Sequence, residues 1–263
     1  MLGAPFGARK KGEEMIDEIK LKITNCFIVK VDNKVILVDT GYEFEYEKLI
    51  SKLTKSNITL QNIDFIFITH CHDDHVGSIA KIIDQNPNIK LILSKKASEF
   101  GFTGKHNNIY GSGYLNKRIA LILKIKGILN KNWNHTFPPF EKRNNDIVID
   151  HDLVLNEIGI NYNGKILMTP GHTLDHISLV IDDICISGDS VANFPRIIGL
   201  HYCVVSVNNL SEYYNSWNKI ILNNVKKIFP SHGNRIDINK IQKNINKNSE
   251  KNIVKWSKEI TNL

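Results

Sequence analysis

Apolar and polar positions alternate in short blocks along most of the chain, and the period of each block predicts an element. Residues 16–23 alternate with a weak strand period. Cys26 to Val31 and Val35 to Asp39 are apolar runs on either side of Asp32-Asn33-Lys34, which predicts a hairpin with a turn-prone tip. Glu43 to Leu53 carries Phe44, Leu49, Ile50 and Leu53 at helical spacing. Ile63 to Thr69 is a continuous apolar run, as expected of a strand covered on both faces. Val76 to Gln85 gathers Ile79, Ala80, Ile82 and Ile83 on one side, Pro87 stops it, and Ile89 to Leu93 reads as a buried strand. Further strands are predicted at 147–149, 153–160, 165–168, 177–181, 184–187 and 227–229, with helices over 210–222 and 238–256. Strand and helix alternate, so the pattern predicts a layered α/β fold.

Residues 94–145 interrupt this rhythm. They mix Gly101, Gly104, Gly111 and Gly113 with Tyr110, Tyr114, Trp133, Phe137 and Phe140, around one apolar helix near 115–125. The segment reads as an inserted lid, being short for an independent core. Two fates are open to Tyr110, Tyr114, Trp133, Phe137, Phe140 and Arg143: they face a substrate, or they form a satellite core under a long loop. Arg196, His201 and Tyr202 are further pocket candidates. Met1 to Glu14 lacks the apolar centre of a signal peptide and reads as a poorly ordered leader or tag, leaving 15–263 as one domain.

Composition narrows the class. The chain has 263 residues, 42% hydrophobic and 23% charged, which is ordinary globular usage and excludes disordered or collagen-like chains. No apolar run reaches the roughly 20 residues of a membrane-spanning helix. The formal charge is +7, which permits an acidic partner without requiring one. The basic residues are dispersed, so nucleic acid is disfavoured and a small-molecule substrate is expected. Cys26, Cys71, Cys185 and Cys203 are scattered and form no C-x-x-C pair, which suits reduced thiols and a cytoplasmic location. A dimer is left open.

The chemistry is concentrated in the histidines. After the run 63–69 the chain reads His70-Cys71-His72-Asp73-Asp74-His75-Val76-Gly77. On extended backbone, His70 and His72 point to one side and Cys71 to the other. Asp74 and His75 lie where the chain enters the next helix, and Asp73 suits a helix-capping role. Imidazole and carboxylate together suit Zn²⁺, and also Fe or Mn. Further donors follow later strands, each beside a glycine: Pro170-Gly171-His172-Thr173, Ser187-Gly188-Asp189-Ser190 and Pro230-Ser231-His232-Gly233. His176 reads as a hydrogen-bonded strand residue. His106, His135, His151 and His201 carry no spacing signal.

With Val38-Asp39-Thr40-Gly41, these blocks resemble the metallo-β-lactamase superfamily, in order, from about Cys26 to Gly233. The resemblance implies a four-layer αββα sandwich holding two divalent ions, zinc first among them. It implies His70, His72 and His172 at one ion, Asp74, His75 and His232 at the other, Asp189 bridging, and Asp39 orienting the site. Asp74, Asp189 and Asp39 are thereby the candidate catalytic carboxylates. Two such ions share a bridging hydroxide able to attack a carbonyl carbon or phosphorus. The resemblance further implies that β-lactam-cleaving members lack the bridging carboxylate, whereas thioesterase, lactonase and phosphodiesterase branches carry it. An ester, thioester or lactone hydrolase is therefore expected, with a phosphodiesterase or nuclease as the alternative and a non-catalytic di-iron sensor behind both. Departures from single branches are visible: Ala192 stands where the lactonases carry tyrosine, and Val76-Gly77-Ser78-Ile79 replaces the glycine- and proline-rich run of the tRNA-processing branch.

Overall fold

The computed structural model describes residues 15–105, 112–129 and 135–255. The proposed leader, and Tyr110, Trp133 and His106, lie outside the described residues. The first sheet is ordered β1 (Ile16–Lys20), β2 (Asn25–Val31), β3 (Lys34–Val38), β4 (Phe65–Phe67), β5 (Lys90–Ser94), β7 (Ile147–Ile149). The second is ordered β14 (Ile236–Asp237), β13 (Lys227–Pro230), β11 (Ile184–Gly188), β10 (Ile177–Ile181), β9 (Gly164–Met168), β8 (Leu153–Val154). A small third sheet joins β12 (Ser206–Val207), β6 (Gly113–Tyr114) and β15 (Val254–Lys255).

The period-two pattern explains how the layers stack. Phe27, Val29, Ile36, Val38, Phe65 and Phe67 face a core shared with Ile166, Ile177, Leu179, Ile181, Ile186 and Phe229 of the other sheet. Their neighbours Cys26, Ile28, Leu37 and Ile66 point outward. There they meet Leu49 and Leu53 of α1 (Tyr46–Lys55), Val76 of α2 (Asp73–Val76), and Ile79 and Ile82 of α3 (Ile79–Gln85). Ala97 of α4 (Lys95–Phe100) joins the same cluster. On the far side, Leu167, Val180, Cys185 and Ile228 pack against Ile119 of α5 (Lys117–Leu129), Tyr213, Trp217 and Ile220 of α6 (Leu210–Leu222), and Ile241 of α7 (Ile238–Gln242). Helices thus cover both outer faces of two packed sheets, an αββα sandwich. At the β2–β3 hairpin, Asp32 and Asn33 both take positive φ, the two-residue type I′ turn that matches strand twist.

Three predicted elements differ. The strand over 153–160 stops at Val154, because Leu155–Ile158 wind into a 3-10 turn that Gly159 ends at φ +79°. The helix from Val76 is broken by Gly77 and Ser78, where Thr40 Oγ1 accepts from the Ser78 N–H. The helical tail over 238–256 is helical only through Gln242; the chain then crosses the left-handed Asn246 and ends in β15, with Trp256 outside the described residues.

Segment 94–145 shares its described side chains between the two outer cores. Phe137 and Phe140 are buried beside Ala97 under the first sheet, and Leu115 and Ile119 join the second outer cluster. Arg143 donates to Asp146 and to the carbonyls of Pro87 and Ile89. Phe137, Phe140 and Arg143 therefore take structural rather than substrate-facing places, while Tyr114 packs half-buried on β6.

Candidate metal centre

The donor residues meet because the strands that deliver them end at one rim. β3 and β4 run parallel, as do β11 and β13, and β9 shares their direction through antiparallel β10. Asp39 follows β3, His70 follows β4, His172 follows β9, Asp189 follows β11 and His232 follows β13. Two backbone hydrogen bonds stitch the sheets beside this rim: Ile177 N–H to Thr69 O (2.8 Å) and Asn25 N–H to Ser231 O (2.7 Å). Asn25 adds side-chain donation to the carbonyls of Pro230 and Gly233.

Three groups of potential metal donors result: His70, His72 and His172; His70, His75 and Asp189; and Asp74, His75 and His232. Within each, the donor atoms lie within 4.8 Å of one another. His172 Nε2 stands 3.1 Å from His72 Nδ1. Asp189 faces both outer groups, with Oδ2 3.4 Å from His172 Nε2 and Oδ1 3.3 Å from His232 Nε2 and 3.6 Å from His75 Nε2. Asp74 approaches His232 Nε2 through Oδ2 at 3.3 Å and His75 Nε2 through Oδ1 at 3.6 Å.

The outward ring nitrogens fix the tautomers. His75 Nδ1–H donates to Asp39 Oδ2 at 2.7 Å. Thr69 Oγ1 donates to the same carboxylate at 2.8 Å, so it accepts from His70 Nδ1–H at 3.1 Å. His172 Nδ1–H donates to Ser206 O (2.9 Å) and His232 Nδ1–H to Ile23 O (3.2 Å). Each bond turns Nε2 inward, the arrangement that raises imidazole basicity toward a metal. His70 Nε2, His75 Nε2 and Asp189 Oδ1 are buried with no hydrogen-bond partner. Buried polar atoms left this way are costly unless a cation satisfies them. The donor set therefore fits divalent metal.

The electrostatics agree. Burial alone would discharge His75, yet Asp74, Asp39 and Asp189 outweigh it and raise its pKa to about 9. His232 is likewise raised despite burial, by Asp189 and Asp74. Asp74 and Asp189 are held low against the burial penalty by His75 and His232. His70 is pushed down by burial and by the neighbouring imidazoles. The carboxylates concentrate positive charge at one end of the cluster and leave neutral lone pairs at the other.

Other residues singled out in the sequence lie around this centre. Cys71 points into the first outer core, its thiol 3.4 Å from Ala97 O. Asp73 is buried in the first turn of α2, and its Oδ1 accepts from Asp74 N–H. His135, His151 and His201 belong to none of the donor groups, Tyr202 packs against the second outer core, and Arg196 is exposed. Sequence reasoning passed over Asp175, a buried carboxylate that accepts from Cys71 N–H at 2.7 Å. It also passed over Tyr213, whose hydroxyl donates to Asp189 O at 3.1 Å. A carboxylate three residues after His172 was the available signal for Asp175; Tyr213, on α6, carries none.

Comparison with known proteins places the architecture. The metallo-beta-lactamase superfamily model matches residues 19–232, and the chain belongs to that superfamily. It is similar to the beta-lactamase-like protein 2 homolog of Caenorhabditis elegans, 28% identical over 82% of this chain and 58% of the nematode protein, so it spans little more than half of that relative. It is also similar to a probable metallo-hydrolase of Methanocaldococcus jannaschii, 25% identical over 80% of this chain and 87% of that protein. Among solved structures, a subclass B3 metallo-beta-lactamase of Bradyrhizobium japonicum aligns with TM-score 0.57 over 83% of this chain and 75% of that one, at 16% identity. That likeness shows the fold alone.

Proposed function

We propose that the protein is a dinuclear metal-dependent hydrolase acting on an ester, thioester or lactone. The observation that carries this is Asp189, whose two carboxylate oxygens face different histidine groups. His70, His72 and His172 would hold one divalent ion, and Asp74, His75 and His232 the other, with Asp189 common to both. Held there, such ions would supply a hydroxide nucleophile near neutral pH and Lewis acidity toward the scissile oxygen.

The chain's own residues prepare that chemistry. Asp39 holds the His75 ring with Nε2 inward, and Ser206 O does the same for His172. The rim favours an apolar substrate group over a polyanion. Phe194 stacks on His232 with ring centroids 5.6 Å apart, and the Tyr42 and Phe44 rings stack at 4.9 Å. Burial and the charge of Asp74 keep the Tyr42 phenol protonated. Ile23, whose carbonyl holds His232, is itself exposed.

The test combines metal analysis with a substrate panel. The expected result is two equivalents of zinc or another divalent ion, turnover of chromogenic thioesters or lactones, and loss of turnover with a chelator. Turnover confined to phosphodiesters would move the protein to the nuclease-like alternative. A folded protein that binds metal and hydrolyses none of these would leave a sensor.

A further inference from the structure

Asp175 and His176 are consecutive, wholly interior, and outside the donor groups. Each accepts a backbone N–H at or next to a donor residue. Asp175 Oδ2 takes the N–H of Cys71, the residue between His70 and His72, at 2.7 Å. His176 Nε2 takes the N–H of Asp189 itself at 3.0 Å.

The hydrogen bonds around His176 fix its tautomer. Because Nε2 accepts, the ring proton is on Nδ1, which donates to Thr169 Oγ1 at 2.8 Å. Thr169 Oγ1 then donates to Ser178 Oγ at 2.8 Å, and Ser178 Oγ donates to Ser187 O, one residue before Gly188-Asp189. Both ring nitrogens are committed, so His176 stays out of coordination although its ring centroid is 5.0 Å from that of His70. Burial and the neighbouring His172 keep it neutral. Room for the ring comes from Gly188: at φ +52°, a Cβ there would stand 2.7 Å from His176 Nε2 and 2.8 Å from Thr69 Cβ.

The position of the pair gives these bonds their meaning. Asp175 and His176 lie three and four residues after His172, and the next residue, Ile177, donates its N–H to Thr69 O. One short segment therefore grips the His70–His72 turn, the Asp189 turn and the end of β4 at once.

We infer that Asp175 and His176 are positioning residues that set the distance between the metal-donor turns through two backbone amides. The segment leaving the His172 block thereby registers the other two blocks. The inference rests on the metal-centre reading above.

Zinc competition against a chromophoric chelator and the visible spectrum of the cobalt-loaded full chain test it, with the melting temperature of the metal-free form measured alongside. Asp175→Ala and His176→Phe remove the acceptors. Asp175→Asn and His176→Gln each keep an acceptor oxygen. The expected result is at least a tenfold loss of zinc affinity and an altered cobalt spectrum in the first two, with the second two within about threefold of wild type. A role confined to stability would lower only the metal-free melting temperature and leave affinity and spectrum unchanged; that result overturns the inference. Should the first two variants fail to fold, the others decide, since a tenfold loss in Asp175→Asn or His176→Gln is incompatible with amide acceptance. Wild-type protein that takes up no zinc or cobalt overturns the metal-centre reading and this inference with it, whereas normal wild-type uptake with unchanged removal variants overturns this inference alone.

Discussion

At the scale of single residues, Asp39 shows how a side chain outside the donor set governs it. Its carboxylate accepts from Thr69 N–H, Thr69 Oγ1 and His75 Nδ1–H at 2.9, 2.8 and 2.7 Å. Asp39→Ala frees the His75 ring and takes the acceptor from Thr69, which also orients His70. Loss of such a partner costs about 10–100-fold in metal affinity or activity, and zinc competition against wild type measures it. A pH effect belongs to the same scale. The His75 pKa lies at about 9 in the metal-free protein, above the ordinary 6.5. Below about pH 9 a divalent ion must displace that proton, and also the proton that Asp189 and Asp74 hold on His232, so zinc affinity rises with pH. The same sign applies to metal-free stability. The contribution of His75 is complete below about 6.5 and is lost as pH rises toward 9, so the melting temperature of chelator-treated protein falls across that interval.

At the scale of elements, α6 does more than cover a sheet. Leu210, Tyr213, Tyr214, Trp217 and Ile220 form its buried stripe. Tyr213 and Trp217 also hold the turn after β11, by donating to the carbonyls of Asp189 and Ser190. Trp217→Ala should cost about 3–5 kcal/mol in denaturant unfolding and lower metal uptake together with stability. Gly171 is the counterpart on the β9 side. It sits at φ +125°, and a Cβ there would run into the backbone of Tyr213. Gly171→Ala therefore costs at least about 1–3 kcal/mol through its conformation, plus a shift of the His172 block visible as reduced zinc affinity. Elements with a clean period were legible beforehand: α6 spans the predicted 210–222. The third sheet was not. β6, β12 and β15 are two residues each, too short to show an alternation. The tail looked helical because isoleucines recur among Asn and Lys, but Asn favours turns and left-handed backbone, and Asn246 takes that conformation.

At the scale of the whole molecule, the two sheets contribute unequal halves of one donor set. His70, His72, Asp74 and His75 follow the first sheet, and His172, Asp189 and His232 follow the second. Metal should act as a cross-link between them. Removing it with a chelator is expected to lower the melting temperature and to raise amide exchange at Thr69, Asp189 and Ser231 before the strand centres respond. As candidates, His172, Asp189 and His232 were legible because each stands beside a glycine at a strand end, and His70, His72, Asp74 and His75 because they crowd into six residues after a buried apolar run. The acceptors that orient them were not, since Ser206 O, Ile23 O and Thr69 Oγ1 are ordinary groups that only the tertiary fold brings into place. A second prediction concerns the thiols. All four cysteines are buried, and burial raises Cys185 and Cys203 to about 12. The native protein should resist a thiol-specific chromogenic reagent at pH 8, and denaturant should release all four.

The separation of the donors along the chain sets a timetable for biosynthesis. His70, His72 and His75 leave the ribosome early, but His172, Asp189 and finally His232 complete the cluster. Until β13, the last strand that leads into a donor, docks beside β11, the nascent chain offers a divalent ion only a partial set of ligands. On the proposed metal-centre reading, correct loading is therefore a late event that follows assembly of the sandwich. A chain halted before residue 232 would expose imidazoles able to capture the wrong ion.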